Sequence, residues 1–352
     1  MKTQMTHRER ILAAIKHQPT DRVPTDYWGV AEITQKLMRH FGETTMLGLS
    51  KALDIDKIMQ VEPILKPFRK NMWDIEMKQV PIFGGAGFYE EPAKHPLADY
   101  ETIDEIEANY TWPTTEMYDY SNIKALCDLH NREGYAVEGG YISLTYFYEM
   151  IRGTEQMFID FAADEEMAEY ILFKLNEFAS AHTNRILMEA DGKIDISQVT
   201  DDFGSQSSLL MSQSMIERYL GKYYRSNIEL VKSYSANVFH HDDGAIVDMI
   251  PWIVDKGCQI LNPIQWHLPG WNLSEIKRTF GSRLCFHGGI DNQDVLPFGG
   301  VEEVKTEVEA CIDALYLDKT GYILAPCHNL QAITPIENVI AMYEHAISHS
   351  QK

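Results

Sequence analysis

Short apolar runs that end on polar or small residues recur along the chain, and a stretch with helical spacing follows most of them. Such runs are typical of buried parallel strands, and the amphipathic stretches between them suit crossover helices. The predicted strands are 22–29, 57–62, 135–140, 194–202, 237–244, 260–266, 284–291 and 322–329. Eight strand–helix units predict an α/β fold of the (β/α)8 TIM-barrel type, and a doubly wound open sheet is the structural alternative.

Two segments fall outside this alternation. The pattern predicts an N-terminal helix within 1–20, which a capping box over Thr6–Glu9 begins. Residues 63–118 are rich in Pro, Gly, Trp and Tyr and lack a clear period, so we interpret them as an insertion that covers the barrel mouth. We therefore expect one barrel domain over residues 1–352, with these two additions.

Composition excludes several classes of function. The formal net charge of -21 makes nucleic acid and anionic membranes poor partners, and no apolar run is long enough for a membrane span. The first residues show no export signal, which favours a cytoplasmic protein. Five scattered cysteines without CxxC spacing argue against a disulfide framework or a zinc finger.

Titratable residues are densest at 237–244, where a strand leads into His240, His241, Asp242, Asp243 and Gly244. In a barrel the carboxyl ends of all strands meet on one face, which carries the active site. The residues predicted on that face are Trp28, Glu62, Glu138, Asp202, His241, Asp243, Gln265, His287, Asp291, Cys327 and His328. The structural alternative for 237–244 is a polar turn with a helix cap.

Histidine, aspartate and cysteine on this face can supply nitrogen, oxygen and sulfur ligands to zinc with one position left open. His241 and Asp243 lie two residues apart on an extended segment and so share a face, and a third ligand can come from the last strand, at Cys327. Alternatively, Cys327 is a small buried apolar residue. Aromatic residues near the strand ends, among them Trp28 and Tyr146, either line a pocket or belong to the core.

Several motifs together resemble the uroporphyrinogen decarboxylase superfamily, which includes the decarboxylase and cobamide-dependent methyltransferases on one barrel. The matching segments are 6–14, 21–24, 201–206, 241–244, 287–291, 323–329 and 334–338. In the decarboxylase of this superfamily the loop after the first strand bears arginines that grip substrate carboxylates. At the corresponding place this chain has Asp26-Tyr27-Trp28-Gly29. A substrate with many carboxylates would be poorly held there.

The methyltransferases hold zinc through a His-x-Cys-Gly motif and a late cysteine. Here Asp243 stands at the place of the first cysteine, His328 takes the place of the late one, and Cys327 comes one residue earlier. A zinc site rich in nitrogen and oxygen suits activation of an ether or phenolate oxygen better than activation of a thiol.

The resemblance therefore implies a methyltransferase that demethylates a small methoxylated, aromatic compound and passes the methyl group to a cobamide. No cobamide-binding loop is present, so the cobamide is expected on a separate corrinoid protein. Family resemblance also allows a homodimer. The alternatives are methyl transfer from a cobamide to a thiol or folate-type acceptor, and a lyase acting on another carboxylated substrate.

The resemblance gives each candidate residue a role. His241, Asp243 and Cys327 hold the metal, which we expect to be zinc, with His328 as a substitute ligand or a catalytic group. Asp202, Glu138 and His287 serve as general acid or orienting groups. The expected substrate-binding residues are Trp28, Tyr146, Gln265, Asp291 and Asn329.

Overall fold

In the computed structural model, which describes residues 4–67 and 71–351, seven parallel strands form one curled sheet. The strands of the described residues are β1 (Met59–Gln60), β2 (Ile64–Leu65), β3 (Met77–Ile82), β4 (Gly87–Pro92), β5 (Tyr118–Asp119), β6 (Val137–Ile142), β7 (Ile196–Val199), β8 (Asn237–His241), β9 (Ile260–Asn262), β10 (Cys285–Ile290) and β11 (Tyr322–Pro326). The curled sheet has the order β1-β6-β7-β8-β9-β10-β11, and each neighbouring pair is parallel. The prediction of a TIM-barrel-like α/β fold is confirmed.

Helices follow the barrel strands and cover the outside of the sheet, as parallel connections require. The α-helices of the described residues are α1 (His7–Ile15), α2 (Ala31–Phe41), α3 (Met46–Ala52), α4 (Ile103–Asn109), α5 (Ile123–Arg132), α6 (Leu144–Arg152), α7 (Thr154–Ala163), α8 (Glu165–Glu189), α9 (Gln213–Ser233), α10 (Ile250–Lys256), α11 (Leu273–Phe280), α12 (Val295–Phe298), α13 (Val301–Leu315) and α14 (Ile336–Ser350). Three short 3₁₀ turns add to them within the same residues, at Phe83–Gly85, Thr115–Met117 and Val247–Met249.

The prediction of a first strand at 22–29 is wrong. The segment nevertheless lies between β11 and β1 and fills the place of the eighth strand. The Asp26 N–H donates to the Leu324 carbonyl (2.9 Å), and the Leu324 N–H donates to the Pro24 carbonyl (2.8 Å). On its other side the Ile58 N–H donates to the Asp26 carboxylate instead of a backbone carbonyl. Because Pro24 has no N–H and the Asp26 side chain replaces a ladder acceptor, only isolated bridges form.

The predicted N-terminal helix forms as α1, and Thr6 and Glu9 make the expected capping box. Its apolar residues Ile11, Ala14 and Ile15 pack into the end of the barrel. There they meet buried residues at or near the strands of the curled sheet, namely Ile58, Ala136, Ile196, Phe239, Ile260, Cys285 and Ile323. This apolar cluster occupies the amino end of the barrel, whereas the active sites of such barrels lie at the carboxyl end.

The described residues within 63–118 form structure of their own outside the curled sheet. β3 and β4 pair as an antiparallel hairpin, and β2 pairs with β5. The Gln331 side-chain amide donates to the Tyr89 hydroxyl (3.0 Å), which ties this hairpin to the loop after β11. The hairpin thus lies at the carboxyl end of the barrel. No helix of the described residues has the length and apolar character to cross a bilayer.

Candidate active site at the carboxyl ends of the strands

Two histidines and one aspartate meet at the carboxyl end of the barrel. His241 ends β8, Asp243 follows it by two residues, and His328 lies two residues beyond β11. Asp243 Oδ2 is 3.8 Å from His241 Nε2 and 3.9 Å from His328 Nε2. One donor atom from each residue lies within 4.8 Å of the other two. We call these three residues the mouth triad.

A chain of hydrogen bonds fixes the proton on His241. The Asp26 carboxylate accepts from His287 Nε2 (3.1 Å), and His287 Nδ1 accepts from the Asn262 side-chain amide (2.8 Å). The Asn262 amide oxygen is then turned to accept from His241 Nδ1. His241 therefore carries its proton on Nδ1 and directs the free lone pair of Nε2 at Asp243.

Burial shifts the pKa values of the other two members of the mouth triad. It raises the pKa of the Asp243 carboxyl, an effect that His241 and His328 oppose. Burial likewise lowers the pKa of His328, against the pull of Asp243. Among the described residues Asp243 Oδ1 is buried and has no hydrogen-bond partner. The mouth triad thus offers two imidazole nitrogens and a carboxylate oxygen that lacks a partner.

This donor set fits a divalent ion such as zinc. Two ligands roughly 2.1 Å from a tetrahedral zinc ion lie about 3.4 Å apart, close to the 3.8 and 3.9 Å separations seen here. Two imidazoles and one carboxylate also form a known catalytic zinc set that leaves a fourth position open.

Cys327 lies apart from the mouth triad. Its thiol is fully enclosed and donates to the Ile264 carbonyl (3.3 Å), and burial raises its pKa well above the ordinary value. Asp202 lies beside the triad, exposed, with Oδ1 3.8 Å from His241 Nε2 and accepting from the Asp243 N–H (3.0 Å). The third member of the mouth triad, beside His241 and Asp243, is therefore His328, which we expected as a substitute ligand, and not Cys327.

A cavity of about 560 Å³ leads from His241 and His328 into the barrel mouth. We call this cavity the inner pocket. Its other aromatic lining residues are Tyr27, Trp28, Tyr118, Tyr141 and His182. Trp28 stacks on His241, with ring centroids 5.5 Å apart. A flat apolar molecule can therefore lie among rings and still reach the triad.

One wall of the inner pocket is polar. Glu138 is buried, accepts from the Gln198 amide (2.6 Å) and lines the pocket with Lys57. Burial raises the pKa of the Glu138 carboxyl to about 7, although Lys57 and Gln198 both act to lower it. Lys57 in turn lies 3.4 Å from the Asp26 carboxylate. Glu138 is therefore a protonated acid over part of the neutral range.

A second cavity, of about 580 Å³, shares His328 with the inner pocket. Asp243 and Gln265 line it from the barrel, and Ile82, Phe83 and Tyr89 line it from the β3–β4 hairpin. Phe83, at the turn of that hairpin, is 47% exposed, which leaves an apolar edge on the cavity. We call this cavity the hairpin groove. The mouth triad stands where the inner pocket and the hairpin groove meet.

Three of the predicted substrate-binding residues line one of these cavities, and two line neither. Trp28 and Asn329 line the inner pocket, and Gln265 lines the hairpin groove, where its amide oxygen accepts from the Gly244 N–H. Tyr146 is 44% exposed and lines neither cavity. Asp291 accepts from the N–H groups at the start of α12, which gives it a local capping contact.

His287 does not face either cavity. It is fully buried, and Asp26 and Asn262 occupy its two ring nitrogens. Sequence reasoning did not identify Asn262, Lys57 or Gln198 as site residues. The available signal was their position, since each lies in or next to a predicted strand where polar side chains must find a partner.

Comparison with known proteins identifies the family. The sequence model of uroporphyrinogen decarboxylase (URO-D) matches residues 140–349, more than half of the chain. No protein matches in a search of curated proteins.

Solved structures give a second comparison. A methyltransferase from Methanosarcina mazei has a TM-score of 0.69 at 16% identity, and the match covers 98% of this chain and 99% of that one. A B12-independent methionine synthase from Shewanella sp. W3-18-1 has a TM-score of 0.48 at 10% identity, with 94% and 97% covered, which is too distant to add to the argument. The first match shows a shared fold. By the match of its sequence, the chain belongs to the uroporphyrinogen decarboxylase family, as its motifs predicted.

Proposed function

We propose that the protein is a methyltransferase that removes the methyl group of a small methoxylated, aromatic compound and delivers it to a cobamide on a separate corrinoid protein. The observation that carries the proposal is the mouth triad of two imidazoles and one carboxylate, placed where two cavities meet. Membership in the family and the fold shared with a methyltransferase support this class of enzyme.

His241, Asp243 and His328 would hold a divalent metal ion, with zinc as the expected ion. When bound, the ion would supply a Lewis acid for the ether oxygen of the substrate. Nitrogen and oxygen ligands suit this role better than the thiolate activation that sulfur-rich sites perform. Cys327 has no part in the proposal, because its thiol is engaged with the Ile264 carbonyl away from the three donors.

The aromatic rings of the inner pocket would bind the donor. Tyr27, Trp28 and Tyr141 present faces and edges on which a substituted benzene ring can pack. Among the described residues that line this pocket, Lys57 is the one cationic side chain, and Asp26 already neutralises it. A substrate with several carboxylates would find little charge compensation there, which argues against the lyase alternative.

Glu138 would supply the proton that the reaction needs. When the methyl carbon–oxygen bond breaks, the oxygen keeps the electron pair and must be protonated or held by a positive charge. Glu138 is protonated below about pH 7 and the Gln198 amide fixes its orientation. His287 cannot serve as this acid because it donates to Asp26 inside the barrel wall, so we assign it a positioning role. Asp202 would orient the mouth triad through the Asp243 N–H.

The acceptor would approach through the hairpin groove. A reduced cobamide is a strong nucleophile toward methyl groups when its carrier protein presents it. The groove reaches Asp243 and His328, and the exposed Phe83 and Tyr89 provide aromatic surface along it. Exposed aromatic residues of this kind are common where proteins dock.

Metal analysis combined with a transfer assay tests the proposal. Protein purified without added metal is analysed by inductively coupled plasma mass spectrometry, and methoxyphenols and methoxylated benzoates are screened with free reduced cobalamin as the acceptor. We expect zinc in the wild type, loss of about one equivalent in His241→Gln and in His328→Gln, and formation of methylated cobalamin only with methoxylated donors.

Cys327→Ala is the matched control, because Cys327 precedes His328 and is buried without belonging to the mouth triad. It should keep both the metal and the activity. Equal metal content in all variants would contradict the ligand assignment. Turnover of a carboxylated compound with release of carbon dioxide, and none of any methoxylated donor, would replace methyl transfer by the lyase reaction.

A further inference from the structure

Two helices on the outside of the barrel carry a second group of potential metal ligands. α13 bears Glu309 and Asp313, and α14 bears His345 and His349, each pair four residues apart. Residues at this spacing lie on one face of a helix, one turn above the other. Since α13 and α14 pack side by side, the two carboxylates face the two imidazoles.

Distances bring the four side chains into one cluster. His345 Nε2 is 2.8 Å from Glu309 Oε1, and His349 Nδ1 is 3.6 Å from the same oxygen. His349 Nε2 is 3.1 Å from Asp313 Oδ1. One donor atom each from Glu309, His345 and His349 lies within 4.8 Å of the other two. The two imidazole rings are stacked, with centroids 5.7 Å apart.

The cluster does not satisfy its own polar atoms. In the part of the chain that the structure describes, His349 Nδ1 is buried and lacks a hydrogen-bond partner. Both imidazoles face the single oxygen Glu309 Oε1, so two ring nitrogens share one acceptor. A divalent cation among the three donors would satisfy both rings and the carboxylate together.

We propose that His345, His349 and Glu309 form a divalent-metal site on the outside of the barrel, separate from the mouth triad. Asp313 would position His349 by accepting from its other ring nitrogen, Nε2 (3.1 Å). The donor set of two imidazoles and one carboxylate suits zinc, cobalt(II) or nickel(II). His345 and His349 are 18% and 19% exposed in their side chains, so a metal ion reaches them from solvent. None of the four residues lines the inner pocket or the hairpin groove.

A metal ion there would cross-link α13 to the last helix of the described residues. α14 also carries Tyr343, whose hydroxyl donates to the Asp26 backbone carbonyl (2.8 Å). The site would therefore stabilise the helix that supports the segment carrying Asp26 and Trp28. Its role is structural, because it contacts no residue of the mouth triad.

Titration of the chelator-treated protein with Zn²⁺ tests the site. In the His241→Gln/His328→Gln protein, which lacks two of the triad ligands, we expect one equivalent of Zn²⁺ by calorimetry and a melting temperature that rises by a few degrees. Cobalt(II) in the same protein should give the visible absorption of a nitrogen- and oxygen-ligated ion. Adding His345→Gln/His349→Gln should abolish binding, absorption and stabilisation.

His267→Gln is the matched control, because His267 also contacts a glutamate, Glu307, at 2.8 Å but belongs to neither group of potential metal ligands found among the described residues. It should leave Zn²⁺ binding unchanged. If the combined variant does not fold, His349→Gln alone should weaken binding at least tenfold. The proposal is overturned if the His241→Gln/His328→Gln protein binds no Zn²⁺, or if it binds equally well after His345 and His349 are replaced.

Discussion

The two ends of the barrel differ in the partners of their buried carboxyl groups. At the amino end Arg10, 1% exposed, donates to Asp21 (2.7 Å) and to Asp56. Asp56 is fully buried and also accepts from the Thr25 N–H (2.9 Å) and faces Arg22 (3.3 Å). Carboxylates and guanidinium groups are paired directly in this network, and its hydrogen bonds tie α1 to the segments before β1.

At the carboxyl end, apart from the Lys57–Asp26 ion pair (3.4 Å), carboxyl groups meet imidazoles and amides instead. In the described part of the chain no lysine or arginine forms an ion pair with Asp243, and burial raises the pKa of its carboxyl. Burial also raises the pKa of Glu138 to about 7. The amino end is therefore built for permanent charge and fixed structure, whereas the carboxyl end keeps lone pairs and exchangeable protons available to a ligand.

The largest effect is expected at the amino end. Asp56→Ala leaves Arg10 and Arg22 buried without their shared carboxylate, which should lower the free energy of unfolding by about 3–5 kcal/mol. Urea denaturation followed by circular dichroism measures the loss. A change below about 1 kcal/mol would mean that the network is not needed for stability and would remove the contrast between the two ends.

At the carboxyl end Glu138→Gln should act on the reaction rather than on folding. We expect kcat to fall about 10²-fold, because a general acid is lost. In the wild type the rate should fall above about pH 7, as the Glu138 carboxyl ionises, and the Gln variant should lose this limb of the pH profile. Initial rates between pH 5.5 and 9 provide the measurement.

The stability of the same variant serves as the control. The folded pKa of Glu138 is raised from the ordinary 4.5 to about 7, so the wild type is stabilised by this group below pH 4.5 and loses that stability as the pH rises through 7. The Gln variant lacks this dependence and should be at least as stable as the wild type at pH 8. A less stable variant at pH 8 would indicate a structural role for Glu138.

A smaller effect is expected from the hydrogen-bond chain behind the mouth triad. Asn262→Ala removes the acceptor that holds the proton on His241 Nδ1, which should weaken metal affinity about 10–100-fold. Competition with a coloured chelator measures it. Asn237→Ala is the matched control, because Asn237 bonds to Gln259 at the start of the same strand pair (3.1 Å). Equal losses in both variants would contradict a specific role for Asn262.

The smallest effect belongs to the rim of the amino-end network. Asp54 lies 3.3 Å from Arg22 but is 59% exposed in its side chain. Asp54→Asn, which keeps a residue suited to the left-handed backbone at this position (φ 51°), should therefore change the free energy of unfolding by less than about 1 kcal/mol, since water already screens this pair. Urea denaturation beside Asp56→Ala shows whether burial, rather than the presence of an ion pair, decides the cost.

Local patterns in the sequence were sufficient for the fold and for part of the site. Short apolar runs marked the seven strands of the curled sheet, because buried parallel strands must be apolar on both faces. The two-residue spacing of His241 and Asp243 placed both on one face, and their donor atoms do lie 3.8 Å apart. These features depend on neighbours along the chain, which a sequence displays directly.

Contacts between distant segments were not predictable in this way. Asn262 bonds to His241 and His287 through side chains from three strands, and no local pattern reveals that register. After Pro326 the chain bends, so Cys327 faces the Ile264 carbonyl while His328 turns toward Asp243. A shift of one position after the end of a strand therefore changes which side chain faces the site.

The shared wall between the inner pocket and the hairpin groove has a kinetic consequence. Because His328 lines both cavities, the two reactants can occupy them simultaneously, without one product leaving before the second reactant enters. The geometry therefore favours a ternary complex over a substituted-enzyme cycle. Double-reciprocal plots at several acceptor concentrations should then intersect rather than run parallel, and the order of addition should not matter for the final rate.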